Sequence, residues 1–226
     1  MTEAQSLQLQ LRVELHSAAH IGTGLGLGQI LDDRIVQGPH PQYPNTILPY
    51  LPGSTLKGRL RYHLRRLAAI FALPEVEDRL FGSPERLGDL RVADAHLSDL
   101  ALVGQMASHK GGDAPNSGRP SPLGNYLVRG ARSFVSLSRG RRVARDERLF
   151  RIELAETGLV FTSTIHGALS APEPKRDLAL LLAATRDLTH LGGHKGRGLG
   201  RCAISIDHVR LNDQPAEWRG LLEKWL

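Results

Sequence analysis

Leu7, Leu9, Leu11, Val13 and Leu15 alternate with Gln8, Gln10, Arg12, Glu14 and His16. A strict period of two puts every apolar side chain on one face of an extended backbone and every polar one on the other. No helical spacing satisfies this pattern, so the segment predicts a strand with one buried face. Such a strand needs neighbours to pair with and a layer to cover its apolar side.

The next stretch, His20-Ile-Gly-Thr-Gly-Leu-Gly-Leu-Gly28, has glycine at alternate positions. Glycine permits close backbone approach and conformations closed to other residues. The spacing matches neither the dinucleotide fingerprint nor the P-loop. Residues 30 to 36 read as a short strand interrupted by Asp32-Asp33, and the proline-rich residues 39 to 49 lead into Leu51-Pro-Gly-Ser-Thr-Leu-Lys-Gly-Arg-Leu-Arg61. There Pro52 and Gly53 end an extended segment, Ser54 or Thr55 can cap a helix, and Lys57, Arg59 and Arg61 follow within about two turns. A helix start of this kind offers an anion free N–H groups, the positive end of the helix dipole and basic side chains together. Its plainer reading is an amphipathic helix with a solvated basic face. Leu56, Leu60, Leu64, Leu67 and Ile70 carry the helical period over residues 55 to 71, and Pro74 marks its end.

Further on, residues 75 to 80 read as a short helix and 90 to 97 as a strand. Residues 104 to 124 lack any hydrophobic period and suggest a protruding loop, extending as far as residue 132. Residues 129 to 151 are the most basic region, with Arg139, Arg141, Arg142, Arg145 and Arg148. Residues 149 to 154 and 158 to 169 look like a strand pair, and residues 175 to 188 like a helix burying Leu178, Leu181, Leu182 and Leu188. A second glycine-rich loop, Leu191-Gly-Gly-His-Lys-Gly-Arg-Gly-Leu-Gly-Arg201, precedes a strand over residues 202 to 209. This order predicts an α+β fold of ferredoxin-like type, with helices against one face of an antiparallel sheet, in a single domain over residues 1 to 226 with an insertion at about 104 to 132.

Composition narrows the functional classes. With 29 Lys plus Arg against 23 Asp plus Glu, the 226-residue chain carries a net charge of +6, which favours a polyanionic partner. Its one cysteine, Cys202, permits neither an intrachain disulfide nor a zinc site of several cysteines, as suits a reducing cytoplasm. No apolar run approaches the ~20 residues of a membrane-spanning helix, so no membrane partner is expected. Aromatic residues make up only 5% of the chain, which argues against a base-stacking platform and for contacts to a nucleic-acid backbone.

The Pro-Gly-Ser-Thr-Leu-Lys-Gly segment, the late Gly-Gly-His-Lys-Gly-Arg-Gly-Leu-Gly loop and the order of elements together resemble the RAMP superfamily of CRISPR proteins. More closely, the chain resembles the repeated backbone subunit of type III (Csm/Cmr-like) effector complexes. Leu15-His-Ser-Ala-Ala-His-Ile-Gly-Thr-Gly24 is similar to the family's early His-Ile-Gly-Gly turn. Leu80-Phe-Gly-Ser83 with Ala93-Asp-Ala95, and Arg132-Ser-Phe-Val-Ser-Leu-Ser-Arg139 followed by Glu147-Arg-Leu-Phe150, resemble further family blocks.

The resemblance implies a modified RNA-recognition (RRM-like) fold that polymerises along a guide RNA (crRNA), with an inserted thumb in the region of residues 104 to 132. It implies target RNA and other type III subunits as partners. In family members that cleave target RNA, an aspartate follows the early glycine turn; Asp32 aligns with it, and Asp33 is the alternative because Asp33-Arg34 replace the usual residues. One carboxylate can hold a divalent ion such as Mg²⁺ or Mn²⁺ beside a phosphate, so Asp32 is also the implied metal ligand. The acid pair can equally be read as a solvated turn. His20, Ser54, Lys57, Arg59, Arg61, Arg139, Lys195 and Arg197 are the implied RNA-binding residues. Two other functions fit the same superfamily: a non-cleaving structural or capping subunit, and a metal-independent guide-processing endoribonuclease that uses histidine.

Overall fold

The computed structural model describes residues 4–24, 32–99, 129–137, 140 and 144–225. The loop expected at 104 to 124 and Arg139 lie outside these residues.

The alternating segment forms β1 (Gln5–Leu15), at the middle of an antiparallel sheet. It pairs on one side with β8 (Val160–Leu169) and on the other with β9 (Cys202–Leu211), with a register shift between Gln10 and Leu11. Beyond β8 lie β4 (Leu90–Val92) and the two-residue β5 (His96–Leu97); beyond β9 lies β10 (Gln214–Pro215). Leu7, Leu9, Leu11, Val13 and Leu15 are all buried on one face. Gln8, Arg12 and Glu14 stand exposed on the other.

Two helices supply the covering layer. α1 (Gly53–Ile70) buries Leu56, Leu60 and Leu64, and α3 (Pro174–Asp187) buries Leu178, Leu181 and Leu182. In chain order the core reads strand, α1, strand, strand, α3, strand, and its spatial order β9-β1-β8-β4 is that of the ferredoxin-like split βαβ. The expected fold class is therefore the observed one.

The structure departs from the sequence reading in several places. α1 begins at Gly53, two residues earlier than the leucine period indicates, and neither Ser54 nor Thr55 caps it. The cap comes from far along the chain: the Asp94 carboxylate accepts the Gly53 N–H at 2.7 Å. Leu51 pairs with Ala95, which brings Asp94 to the helix end, and Gly53 is obligatory because a Cβ there would lie 2.1 Å from the Val92 carbonyl oxygen. Residues 32 to 36 form isolated bridges, Asp33 to Ile152 and Ile35 to Gly22, in place of a strand. The proline-rich approach to α1 is a hairpin of β2 (Gln37–His40) and β3 (Tyr43–Pro49).

The basic region is also a hairpin, β6 (Arg129–Leu137) with β7 (Ala144–Ala155), so residues 129 to 132 belong to a strand. Consequently β7 does not pair with β8, as their closeness in sequence suggests. β8 is taken up between β1 and β4 in the main sheet, whereas β7 finds its partner in β6.

Ion pairs fasten the helices. Arg79 on α2 (Glu75–Phe81) makes a bidentate pair with Asp177 in the first turn of α3, at 2.6 and 2.9 Å, and Asp177 is fully buried. Glu77 receives both Arg61 and Arg65 from α1, and the Arg65 hydrogen bond is the largest influence holding its carboxyl below the usual glutamate range, against burial.

Two predictions follow from these contacts. Asp177→Ala leaves the Arg79 guanidinium without its carboxylate in a closed setting and should lower unfolding free energy by about 3–5 kcal/mol in a denaturant titration. Asp94→Ala removes only the α1 cap and should cost about 1 kcal/mol in the same assay. Equal losses in the two variants would contradict this ranking.

Candidate functional site

Four segments distant in sequence meet at one end of β1. They are the early turn at residues 16–24, the acid pair, β7 and the glycine-rich loop at residues 191–201. The early turn is stitched to β7 by reciprocal Ala19 and Ala155 backbone bonds of 2.9 and 2.8 Å. It is joined to the late loop by Gly193 N–H to the His20 carbonyl and Gly200 N–H to the Ala18 carbonyl, both 2.8 Å. This approach requires glycine: a Cβ on Gly192, whose φ is +76°, would lie 2.2 Å from the His20 oxygen.

His20 is the node of this seam, with its ring buried at 3% relative exposure. Nδ1 donates to the Glu153 carbonyl at 2.7 Å, and Nε2 lies 2.9 Å from Asp33 Oδ2. Both ring nitrogens thus face oxygen atoms of neighbouring segments. The second Asp33 oxygen accepts the Gly24 N–H at 3.1 Å. Gly22 completes the fit, since a Cβ there would stand 2.3 Å from Asp33 Oδ2. Nearby, the Glu153 carboxylate accepts from the Ile35 N–H at 3.2 Å and the Gln37 amide at 3.1 Å.

The two adjacent acids therefore have different settings. Asp33 is occupied at both oxygens. Asp32 is exposed: its Oδ2 accepts the Arg151 N–H at 2.6 Å, its own N–H bonds to the Arg151 carbonyl at 2.8 Å, and its Oδ1 has no partner among the described residues. The backbone exchange with β7 fixes where this carboxylate points. Among the described residues no group of three His, Cys, Asp or Glu side chains could hold a metal ion.

The late loop is held by aromatic contacts that its sequence does not advertise. His194 adopts a left-handed backbone, φ +58°, and its ring stacks on Phe134 of β6 and Phe150 of β7, with centroids 6.2 and 6.0 Å away. Arg197 lies over both phenylalanine rings at 5.4 and 4.8 Å and donates to His194 Nδ1 at 2.9 Å. Burial, and then the charges of His20 and Arg197, hold the His194 pKa below the ordinary histidine value, which suits a neutral ring accepting at Nδ1. A chain poor in aromatic residues thus concentrates several at one place, contrary to the reading of composition alone.

The basic residues of α1 also divide. Arg61 pairs with Glu77 and Asp78, so its guanidinium braces α2. Lys57, Arg59 and Ser54 make no ion pair among the described residues. Lys195 lies close to Arg59, and burial followed by the Arg59 charge holds its ammonium below the usual lysine range. Beneath them Cys202 is a buried free thiol, pushed up to about 11 by burial. The structure thus joins His20 to Asp33 and brings Arg59 near Lys195, with Arg197 on the same loop as Lys195. Asp94, Phe134, Phe150 and His194 stood inside the family-like blocks of the sequence without a role of their own, and Glu153 had no local signal.

No helix among the described residues is long and apolar enough to cross a membrane. No curated protein sequence matches the chain. Solved structures with a similar fold include chains of two cryo-EM structures of the type III-B Cmr-beta complex. One is the apo state, with a TM-score of 0.59, and the other is bound to cognate target RNA, with a TM-score of 0.60. Each is 14% identical to this chain, and the likeness covers 88% of this chain and 96% of the other. The RAMP superfamily model matches residues 12–203, from within β1 to the start of β9, and the chain belongs to that superfamily.

Proposed function

We propose that this chain is a guide-RNA-binding backbone subunit of a type III CRISPR effector complex, and that it cleaves bound target RNA by metal-dependent chemistry at Asp32. Membership of the RAMP superfamily and the fold shared with chains of a type III-B complex support the assembly. The observation that carries the chemistry is the division of labour in the acid pair. Asp33 is locked to His20 and Gly24, and Asp32 is aimed outward by the Arg151 N–H.

Cleavage within an RNA strand can use the neighbouring 2′-hydroxyl as nucleophile, and negative charge then gathers on the phosphate oxygens. Asp32 Oδ1 suits a single Mg²⁺ or Mn²⁺ that takes its other ligands from water and RNA, because Mg²⁺ commonly uses only one or two protein carboxylates. Such an ion, when bound, would offset the charge developing at the phosphate. Asp32 would orient it, while the His20–Asp33 pair keeps the early turn against β7. Lys57, Arg59, Lys195 and Arg197 would hold guide phosphates, which makes binding insensitive to sequence and steeply dependent on salt. His20 is buried and bonded at both ring nitrogens, so a metal-independent reaction with this histidine as proton carrier has less support.

In an assembled guide complex, Asp32→Ala should slow target cleavage by about a hundredfold or more with target binding unchanged. Asp33→Asn should keep cleavage within about tenfold while lowering stability by about 1–3 kcal/mol, because the partners of a buried hydrogen bond are disturbed. The reverse pattern would move the chemistry to Asp33, and unchanged cuts in both variants would leave the chain as a scaffold. In RNA titrations, Lys57→Ala should weaken guide binding, whereas Arg61→Ala should lower the unfolding midpoint and leave affinity within about twofold.

A further inference from the structure

On α1, Tyr62 presents half of its surface to solvent, at 50% relative exposure, with two guanidinium groups near its ring. Arg59 lies 5.3 Å from the ring centroid and Arg66 lies 5.8 Å from it. The three residues follow at i, i+3 and i+7, the spacing of one helix stripe. Neither arginine makes an ion pair among the described residues, in contrast to Arg61 and Arg65, which both pair with Glu77.

Arg59 is also fixed in place. The buried His63 ring donates through Nδ1 to Asp187 at 2.5 Å and accepts Arg59 Nη2 through Nε2 at 3.4 Å. The same ring meets Tyr62 edge-on, with centroids 5.3 Å apart. Arg59 Nε is enclosed without an acceptor among the described residues. A polar donor so placed is costly unless a partner reaches the cluster.

We propose that Tyr62 is a stacking platform for one nucleobase of the guide strand, with Arg66 and Arg59 on its flanking phosphates. The proposal rests on the guide-binding reading above and extends it from phosphate contacts to a base contact. A half-exposed tyrosine ring beside two cations suits single-stranded RNA, because every base has a π-face and every linkage a charge. An acidic protein surface would use the cations but leave the aromatic face without a matching group. The guide is favoured over the target because Arg59 is proposed above to hold guide phosphates.

The test uses the full chain bound to a guide-length single-stranded RNA carrying 5-iodouridine, irradiated and mapped by peptide mass spectrometry. The expected crosslink is to Tyr62. Tyr62→Ala should weaken binding by about tenfold, and Tyr62→Phe should retain wild-type affinity. Arg66→Gln should lower the slope of log affinity against log salt by about one. Thermal unfolding of each variant, measured in parallel, should match wild type because the residues are exposed. Wild-type affinity in Tyr62→Ala, or crosslinks confined to other segments, would overturn the proposal while leaving guide binding intact. A crosslink to Tyr62 only when 5-iodouridine sits in a hybridised target strand would overturn the assignment to the guide. If the wild-type chain binds no single-stranded RNA, the guide-binding reading falls and this inference with it.

Discussion

The site depends on one histidine bound at three points. The His20 carbonyl takes the Gly193 N–H, its Nδ1 reaches the Glu153 carbonyl, and its Nε2 meets Asp33. Through its backbone carbonyl and its buried ring, this one residue ties the early turn to the late glycine loop, to β7 and to the acid pair. Buried polar groups are costly when left unpaired, so each bond fixes the others, and glycine at 22 and 192 is the steric condition for all of them. The exposed acid, Asp32, inherits its position from this frame.

The same economy governs the positive charge. Arg61 and Arg65 meet Glu77, and Arg79 meets Asp177, so these cations hold the helical layer together. Arg59 and Arg66 lie instead against the Tyr62 ring, and Lys195 feels the charge of Arg59. Their repulsion is a standing cost that a polyanion would relieve.

Much of the fold was legible because its signals are local. The period of two in β1, the leucine periods of α1 and α3 and the late strand each specify an element without reference to the rest, and their order defines the ferredoxin-like core. Elements defined by distant partners were not legible. Asp94 caps α1 from residues beyond α2, and β7 leaves its sequence neighbour for β6. In the site, the acid pair and both glycine loops were visible as motifs. The distinction between Asp32 and Asp33 was not, because it depends on His20 and on the Arg151 backbone. Nor could composition show that Phe134, Phe150 and His194 converge, since a low average does not forbid a cluster.

The central claim, that Asp32 acts through a divalent ion on the scissile phosphate, is tested most directly by sulfur substitution. A target RNA with a phosphorothioate at the cleaved linkage, presented to the assembled complex, should be cut poorly in Mg²⁺ and recover in Mn²⁺, because the softer ion accepts sulfur better. Recovery that depends on Asp32 would establish the contact. Equal cutting of the oxygen and both sulfur isomers in Mg²⁺ would contradict it.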